Sequence, residues 1–128
     1  LQFFKEKKIP VLGIEPTANT AKVAIGKGIE CIVDFFGSKL ATEKLTKKAD
    51  LILGNNVLAH VPDINDFVNG LKLALKEDGT ITMEFPHLLK LIEENQFDTI
   101  YHEHFSYLSL YTVNRILSFS IIAHSSSF

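Results

Sequence analysis

The sequence has a single cysteine, no long apolar run and no excess of basic residues. With Cys31 alone an intrachain disulfide is impossible, which suits a reducing compartment. No apolar stretch approaches the roughly 20 residues that span a bilayer, and residues 1–5 lack the residue order of a secretory signal. The net charge of −2 gives no electrostatic footprint for nucleic acid. We therefore expect a cytoplasmic protein that binds neither nucleic acid nor a membrane.

The chain of 128 residues fits one domain, positions 1–128, and is long enough to bury a core. Short apolar runs at residues 11–14, 31–33, 51–53 and 80–83 alternate with amphipathic stretches. Because these runs are continuous rather than alternating with polar residues, they predict strands covered on both faces, as in a parallel sheet. Cys31 lies in one of the runs and is expected to be buried.

The amphipathic stretches predict helices. Ser38, Asp63 and Ser109 stand where a side chain would cap a helix, and Gly79 stands where the loop after the Asp63 helix would close. Strand–helix alternation at this spacing implies right-handed βαβ units. The predicted fold class is therefore α/β, with a doubly wound sheet flanked by helices.

Each predicted strand ends in a polar side chain. In open α/β sheets, ligands bind outside the carboxyl ends of the strands. An acid such as Glu15 can accept the ribose hydroxyls of an adenosine group, and Asp34 beside Phe35 offers an acceptor next to an aromatic surface for adenine. Asn55 and Glu84 end the other two strands. For each residue taken alone, helix capping or a solvated loop is the alternative.

Residues 101–107 contain two histidines, a carboxylate and two phenols. Neutral imidazole accepts protons near pH 7, so the segment indicates acid/base chemistry or metal ligation. His102 and His104 could coordinate zinc with Glu103 or His60, although neither a cysteine partner nor a His-x-x-x-His helix accompanies them. Histidines that only satisfy hydrogen bonds in a core are a third interpretation.

The chain lacks the glycine-rich loop that opens a nucleoside-binding α/β domain. If this is such a domain, its first strand and that loop precede Leu1. The chain also starts without Met, within what reads as a helix, and ends in a weakly structured tail at residues 123–128. We therefore expect a fragment of a longer protein.

Several segments together resemble one family. They are residues 13–16 (GIEP), 35–37 (FFG), 55–63 (NNVLAHVPD), 84–89 (EFPHLL) and, most specifically, 93–108 (EENQFDTIYHEHFSYL). Between about residue 11 and residue 114 the chain resembles the S-adenosylmethionine-dependent C-methyltransferases of nucleotide-sugar biosynthesis. The resemblance implies a partial Rossmann-like class I methyltransferase sheet, mainly parallel, without its first strand and its C-terminal part.

The resemblance also implies a reaction. A base removes the proton at sugar carbon 3 of a keto-deoxysugar linked to a nucleoside diphosphate, and the enolate takes the methyl group of S-adenosylmethionine. In such enzymes zinc belongs to a cysteine-rich module that would precede this chain, so no metal is expected among these residues. Enolate charge needs a nearby hydrogen-bond donor, which Tyr101, His60 or protonated His102 could supply.

Residue roles follow by matching motif positions. His104 resembles the general base, Tyr101 and Glu103 its neighbours in the sugar pocket, and His60 a second active-site histidine. The expected cofactor contacts are Glu15 at the ribose, Asp34 and Phe35 at the adenine, and Asn55 in the cofactor pocket. His87 and Asn95 are expected on the substrate side.

Two alternatives remain open at the level of sequence. One is a non-catalytic domain that binds a nucleotide or a partner protein, and the other is a methyltransferase for another small molecule. A fragment without its central strand would expose sheet edges, so we expect it to be capable of forming a homo-oligomer. Such a fragment need not be active alone.

Overall fold

The computed structural model describes residues 1–118, so the predicted tail at residues 123–128 lies outside the described part of the chain. Helices and strands alternate along it. In order they are α1 (Gln2–Glu6), β1 (Leu12–Ile14), α2 (Ala18–Gly26), β2 (Glu30–Ile32), α3 (Ser38–Glu43), β3 (Ala49–Asn55), α4 (Ile64–Ala74), β4 (Leu75–Glu84), α5 (Leu88–Glu93) and α6 (Leu110–Leu117). Two short 3-10 helices, Leu58–His60 and Phe97–Thr99, follow β3 and α5.

The strands pair in parallel, and the α/β class is confirmed. β1 pairs with β2 from Leu12 opposite Glu30 to Ile14 opposite Ile32. β3 pairs with β4, with Asn55 opposite Glu84 at their carboxyl ends. Within residues 1–118 these are two separate two-stranded sheets, and each strand has one edge with no strand partner. The sequence analysis expects the first strand of the full sheet to precede Leu1, and that expectation stays a prediction.

The larger core lies between the β3–β4 pair and helices α4 and α6. Its buried members are Leu58, Phe67, Leu71, Leu75, Ile81, Leu108, Val113 and Leu117. Asp63 caps α4 as predicted, because its side chain accepts a hydrogen bond from the backbone N–H of Asp66 at 3.0 Å. Ser109 caps α6 in the same way, accepting from the N–H of Thr112 at 3.1 Å. Capping fixes where both helices begin.

Three local predictions are wrong. The residue before α3 is Gly37, and Ser38 instead lies in the first turn with its hydroxyl donating to Asp66. Gly79 lies inside β4 rather than in a loop before it. Residues 76–79 form an irregularity in the pairing of β4 with β3, opposite Asp50. Cys31 is half-buried rather than buried.

Coverage of the strands on both faces is also not observed. Leu12 in β1 and both Leu51 and Leu53 in β3 are exposed. Among the described residues, the helices cover only part of the surface of these strands. The continuous apolar runs therefore predict strand positions well but overstate burial.

Candidate active site

The candidate site forms where the loop after β3 meets residues 101–107. The carbonyl of Ala59, in the 3-10 helix after β3, accepts hydrogen bonds from the N–H of Phe105 at 2.8 Å and of Ser106 at 3.3 Å. This backbone pairing places His60 beside His104, with ring centroids 4.6 Å apart and the rings at 65°. Two histidines that are 44 positions apart in sequence thus share one site.

His104 is held by a backbone carbonyl. Its Nδ1 lies 2.8 Å from the carbonyl oxygen of Thr99, in the second 3-10 helix. A carbonyl oxygen only accepts hydrogen bonds, so Nδ1 carries the proton in the neutral ring and Nε2 carries the lone pair. Nε2 is buried and has no hydrogen-bond partner within residues 1–118. A buried polar atom without a partner costs free energy, which makes this nitrogen unusual.

His60 is oriented in the same manner. Its Nδ1 lies 3.1 Å from the carbonyl oxygen of Glu103, so the same reasoning leaves the lone pair on Nε2. The role expected of Glu103 is therefore only partly visible: its backbone carbonyl contacts the site, whereas its side chain is exposed. His102 is also exposed.

Two phenol rings flank His104. The Tyr101 ring lies 4.3 Å away between centroids, tilted by 38°. The Tyr107 ring lies 5.9 Å away and meets the imidazole edge to face, at 79°. Sequence reasoning proposed Tyr101 but not Tyr107 as a site residue. The available signal was that Tyr107 is the second phenol of the same seven-residue segment.

Two of the expected cofactor residues stand at the carboxyl ends of β1 and β2. Glu15 uses one oxygen, Oε1, to accept a hydrogen bond from the N–H of Thr17 at 2.8 Å. Asp34 forms an ion pair with Lys44 at 2.7 Å and accepts from the N–H of Phe35 at 2.8 Å. The hydrogen bond from Lys44 is the main cause that lowers the pKa of Asp34. The Phe35 ring is 75% exposed, a free aromatic face beside this carboxylate.

The other strand pair ends in an amide and a carboxylate that touch. Asn55 Nδ2 donates to Glu84 Oε2 at 3.2 Å, as expected for residues opposite each other in register. Asn55 was expected in the cofactor pocket, and Glu84 was noted only as a strand end. His60 lies in the 3-10 helix that follows Asn55, so both the polar pair and this histidine lie at or after the carboxyl end of β3.

The structure gives local explanations for His87 and Asn95, both expected on the substrate side. His87 Nε2 accepts a hydrogen bond from the N–H of Leu110 at 3.1 Å, at the first turn of α6. Asn95 follows α5 with a φ of +51°, a left-handed conformation that asparagine tolerates better than most residues. The turn at Asn95 leads the chain into the 3-10 helix that carries the Thr99 carbonyl.

Within the described chain no group of three or more His, Cys, Asp or Glu side chains could hold a metal ion. The zinc alternative therefore has no donor set in this part of the chain. Over the same residues, no helix is long and apolar enough to cross a membrane.

The fold is that of the S-adenosylmethionine-dependent methyltransferases. A solved structure of a SAM-dependent methyltransferase from Thermotoga maritima, described as a possible histamine N-methyltransferase, matches 92% of this chain and 56% of its own. The TM-score is 0.69 at 16% sequence identity, so the match shows the fold.

A family model described as "Methyltransferase domain" matches residues 1–118, and the chain belongs to this family. The C-methyltransferase NovU of Streptomyces niveus is 41% identical over 112 residues, which are 86% of this chain and 27% of NovU. The chain thus spans about a quarter of the length of this curated relative.

Proposed function

We propose that this chain carries the catalytic base and part of the cofactor site of an S-adenosylmethionine-dependent C-methyltransferase. The observation that carries the proposal is the buried Nε2 of His104, which has a lone pair and no partner within residues 1–118. A carbon next to a ketone must lose a proton to a positioned base before it can attack a methyl group, and the methyl transfer itself then depends mainly on alignment. The similarity to a relative named as a C-methyltransferase supports the same reaction.

The proposed substrate is a keto-deoxysugar linked to a nucleoside diphosphate. His104 Nε2 takes a proton from the carbon next to the ketone, the C–H bond breaks, and its electron pair moves into an enolate. Proton uptake leaves the imidazolium held at Nδ1 by the Thr99 carbonyl, which now accepts from a charged donor and binds it more strongly. The Tyr101 ring against His104 restrains the direction of Nε2.

The polar strand ends fit the adenosine part of S-adenosylmethionine. Glu15 uses only Oε1 for Thr17, so Oε2 is available for a ribose hydroxyl. Asp34 and the exposed face of Phe35 suit an adenine ring, and Lys44 keeps Asp34 ionised. Asn55 would complete the pocket from β3. When bound, S-adenosylmethionine supplies a sulfonium methyl group, to which the enolate carbon bonds as the S–CH3 bond breaks.

The test replaces His104 in the full-length protein. With an isotope-labelled methyl donor and a nucleotide-linked 4-keto sugar, we expect wild-type protein to form a labelled C–CH3 group detectable by NMR. His104→Gln should lower the rate by about 10²- to 10⁴-fold, the usual contribution of a general base. The affinity for S-adenosylhomocysteine, measured by calorimetry, should not change.

His102→Gln is the matched control: the proposal gives His102 no part in stabilising the enolate, because its side chain is exposed on the same segment. It should retain the wild-type rate. Equal rates in His104→Gln and wild type would contradict the base assignment. Cofactor binding without turnover of any keto sugar would favour a non-catalytic nucleotide-binding domain, and a labelled product of another class would favour a different small-molecule substrate.

A further inference from the structure

Tyr107 lies on a segment that is fixed at both ends. On one side, the N–H groups of Phe105 and Ser106 bind the Ala59 carbonyl. On the other, Leu108 is buried in the core and its carbonyl accepts from the N–H of Leu88 at 2.9 Å. The backbone at Tyr107 is therefore restrained on both sides.

The hydroxyl of Tyr107 has no hydrogen-bond partner in the described part of the chain, and its ring centroid lies 5.9 Å from that of His104, with the rings at 79°. Tyr111 differs from Tyr107 in both respects. The Tyr111 hydroxyl accepts from Arg115 at 3.1 Å, and that ring is 69% exposed on α6. Tyr107 is less exposed, at 36%. It therefore combines a fixed position, contact with the proposed base and a free donor.

We propose that the Tyr107 hydroxyl donates a hydrogen bond to the substrate oxygen that becomes negative when His104 removes the adjacent carbon proton. This inference rests on the proposed function. The charge that leaves the C–H bond collects on the former ketone oxygen, and a fixed donor there stabilises the transition state more than the ground state. Tyr107 thus adds a second phenol to the site, beside Tyr101.

The test is exchange of the substrate proton with deuterium oxide, measured by NMR at saturating keto sugar, with the full-length protein and S-adenosylhomocysteine. Tyr107→Phe removes only the hydroxyl and keeps the ring against His104. We expect it to slow exchange about 10²-fold, in the range found for loss of one oxyanion donor. Affinity for S-adenosylhomocysteine and the midpoint of thermal unfolding should stay at their wild-type values. Tyr111→Phe is the control and should exchange at the wild-type rate.

Exchange at the wild-type rate in Tyr107→Phe would overturn the inference. So would a slower rate accompanied by an equal loss of cofactor affinity, because that pattern belongs to a structural residue. If His104→Gln abolishes exchange while Tyr107→Phe does not alter it, only the role of Tyr107 fails. If wild-type protein shows no exchange, the proposed function fails and this inference fails with it.

Discussion

At the residue scale, the structure distinguishes two histidines that look alike in sequence. His102 and His104 both lie in the segment that indicated acid/base chemistry, and spacing alone does not choose between them. The choice comes from a backbone carbonyl five residues earlier, Thr99, and from burial of the other ring nitrogen. Neither feature is visible without the turn that brings residues 95–99 back beside residue 104. Sequence patterning could therefore identify the segment, and only the family resemblance could indicate which of its histidines is the candidate base.

The ion pair between Asp34 and Lys44 gives a prediction at the same scale. Because Lys44 lowers the pKa of Asp34 from its ordinary value of 3.8, the folded chain keeps this carboxylate ionised at lower pH than the unfolded chain does. Its contribution to stability is present above the unfolded pKa and is lost as the pH falls through the folded pKa. Since the pair is exposed, the contribution is small.

Lys44→Met should therefore raise the pKa of Asp34 towards 3.8, followed through the side-chain carboxyl resonance in an NMR titration. Lys39→Met serves as the control, because Lys39 is a minor cause of the same shift and should change it far less. An unchanged pKa of Asp34 in the Lys44→Met variant would contradict the ion pair.

At the scale of elements, most helices and strands are where hydrophobic patterning and capping residues indicated. Asp63 and Ser109 cap their helices because a short polar side chain satisfies a free N–H at the first turn. Ser38 is not the cap of α3, because the residue before the helix is Gly37 and the carboxylate of Asp66 on α4 accepts hydrogen bonds from both the N–H and the hydroxyl of Ser38. Contacts between distant elements, such as that of Ser38 with Asp66, are not contained in a local pattern.

The packing of α3 against α4 depends on a glycine. A Cβ atom on Gly70 in α4 would lie 2.6 Å from the carbonyl carbon of Gly37, a backbone atom that cannot move aside cheaply. Gly70→Ala should therefore destabilise the chain by about 1–3 kcal/mol, as overpacking does. The free energy of unfolding in a denaturant titration measures the effect.

Gly26→Ala is the matched control. A Cβ atom there meets nothing within 4 Å, and Gly26 ends α2 without a positive φ. Alanine at this position should leave stability unchanged or raise it by up to about 1 kcal/mol, because it costs less backbone entropy in a helix. Equal stabilities of the Gly70→Ala and Gly26→Ala variants would contradict the close approach of α3 and α4.

At the scale of the whole molecule, the α/β class and parallel pairing followed from the order of apolar runs, and the degree of burial did not. Within residues 1–118 the helices leave Leu12, Leu51 and Leu53 exposed on the strands, and every strand also has one unpaired edge. Burial is a property of what surrounds a strand, so no pattern within the strand itself can establish it. The same open edges keep self-association through sheet edges as a prediction for this chain.

The site, like the fold, combines features that sequence patterning predicts with contacts that only the structure shows. Residues from three parts of the chain, the end of β3, the Thr99 turn and the segment 101–107, converge at His104. Patterning predicts that ligands bind at the carboxyl ends of the strands, and the backbone contacts of Ala59 and Thr99 give the geometry around His104. Tyr107 was visible in sequence only as the second phenol of this segment, and its position beside His104 comes from the structure.

The central claim is that His104 removes a proton from carbon, and deuterium exchange without methyl transfer tests it most directly. Full-length protein, the nucleotide-linked keto sugar and S-adenosylhomocysteine are incubated in deuterium oxide, and the carbon next to the ketone is followed by NMR. The account predicts exchange by wild type and by His102→Gln, and a loss of about 10²-fold or more in His104→Gln. Exchange by His104→Gln at the wild-type rate would contradict it.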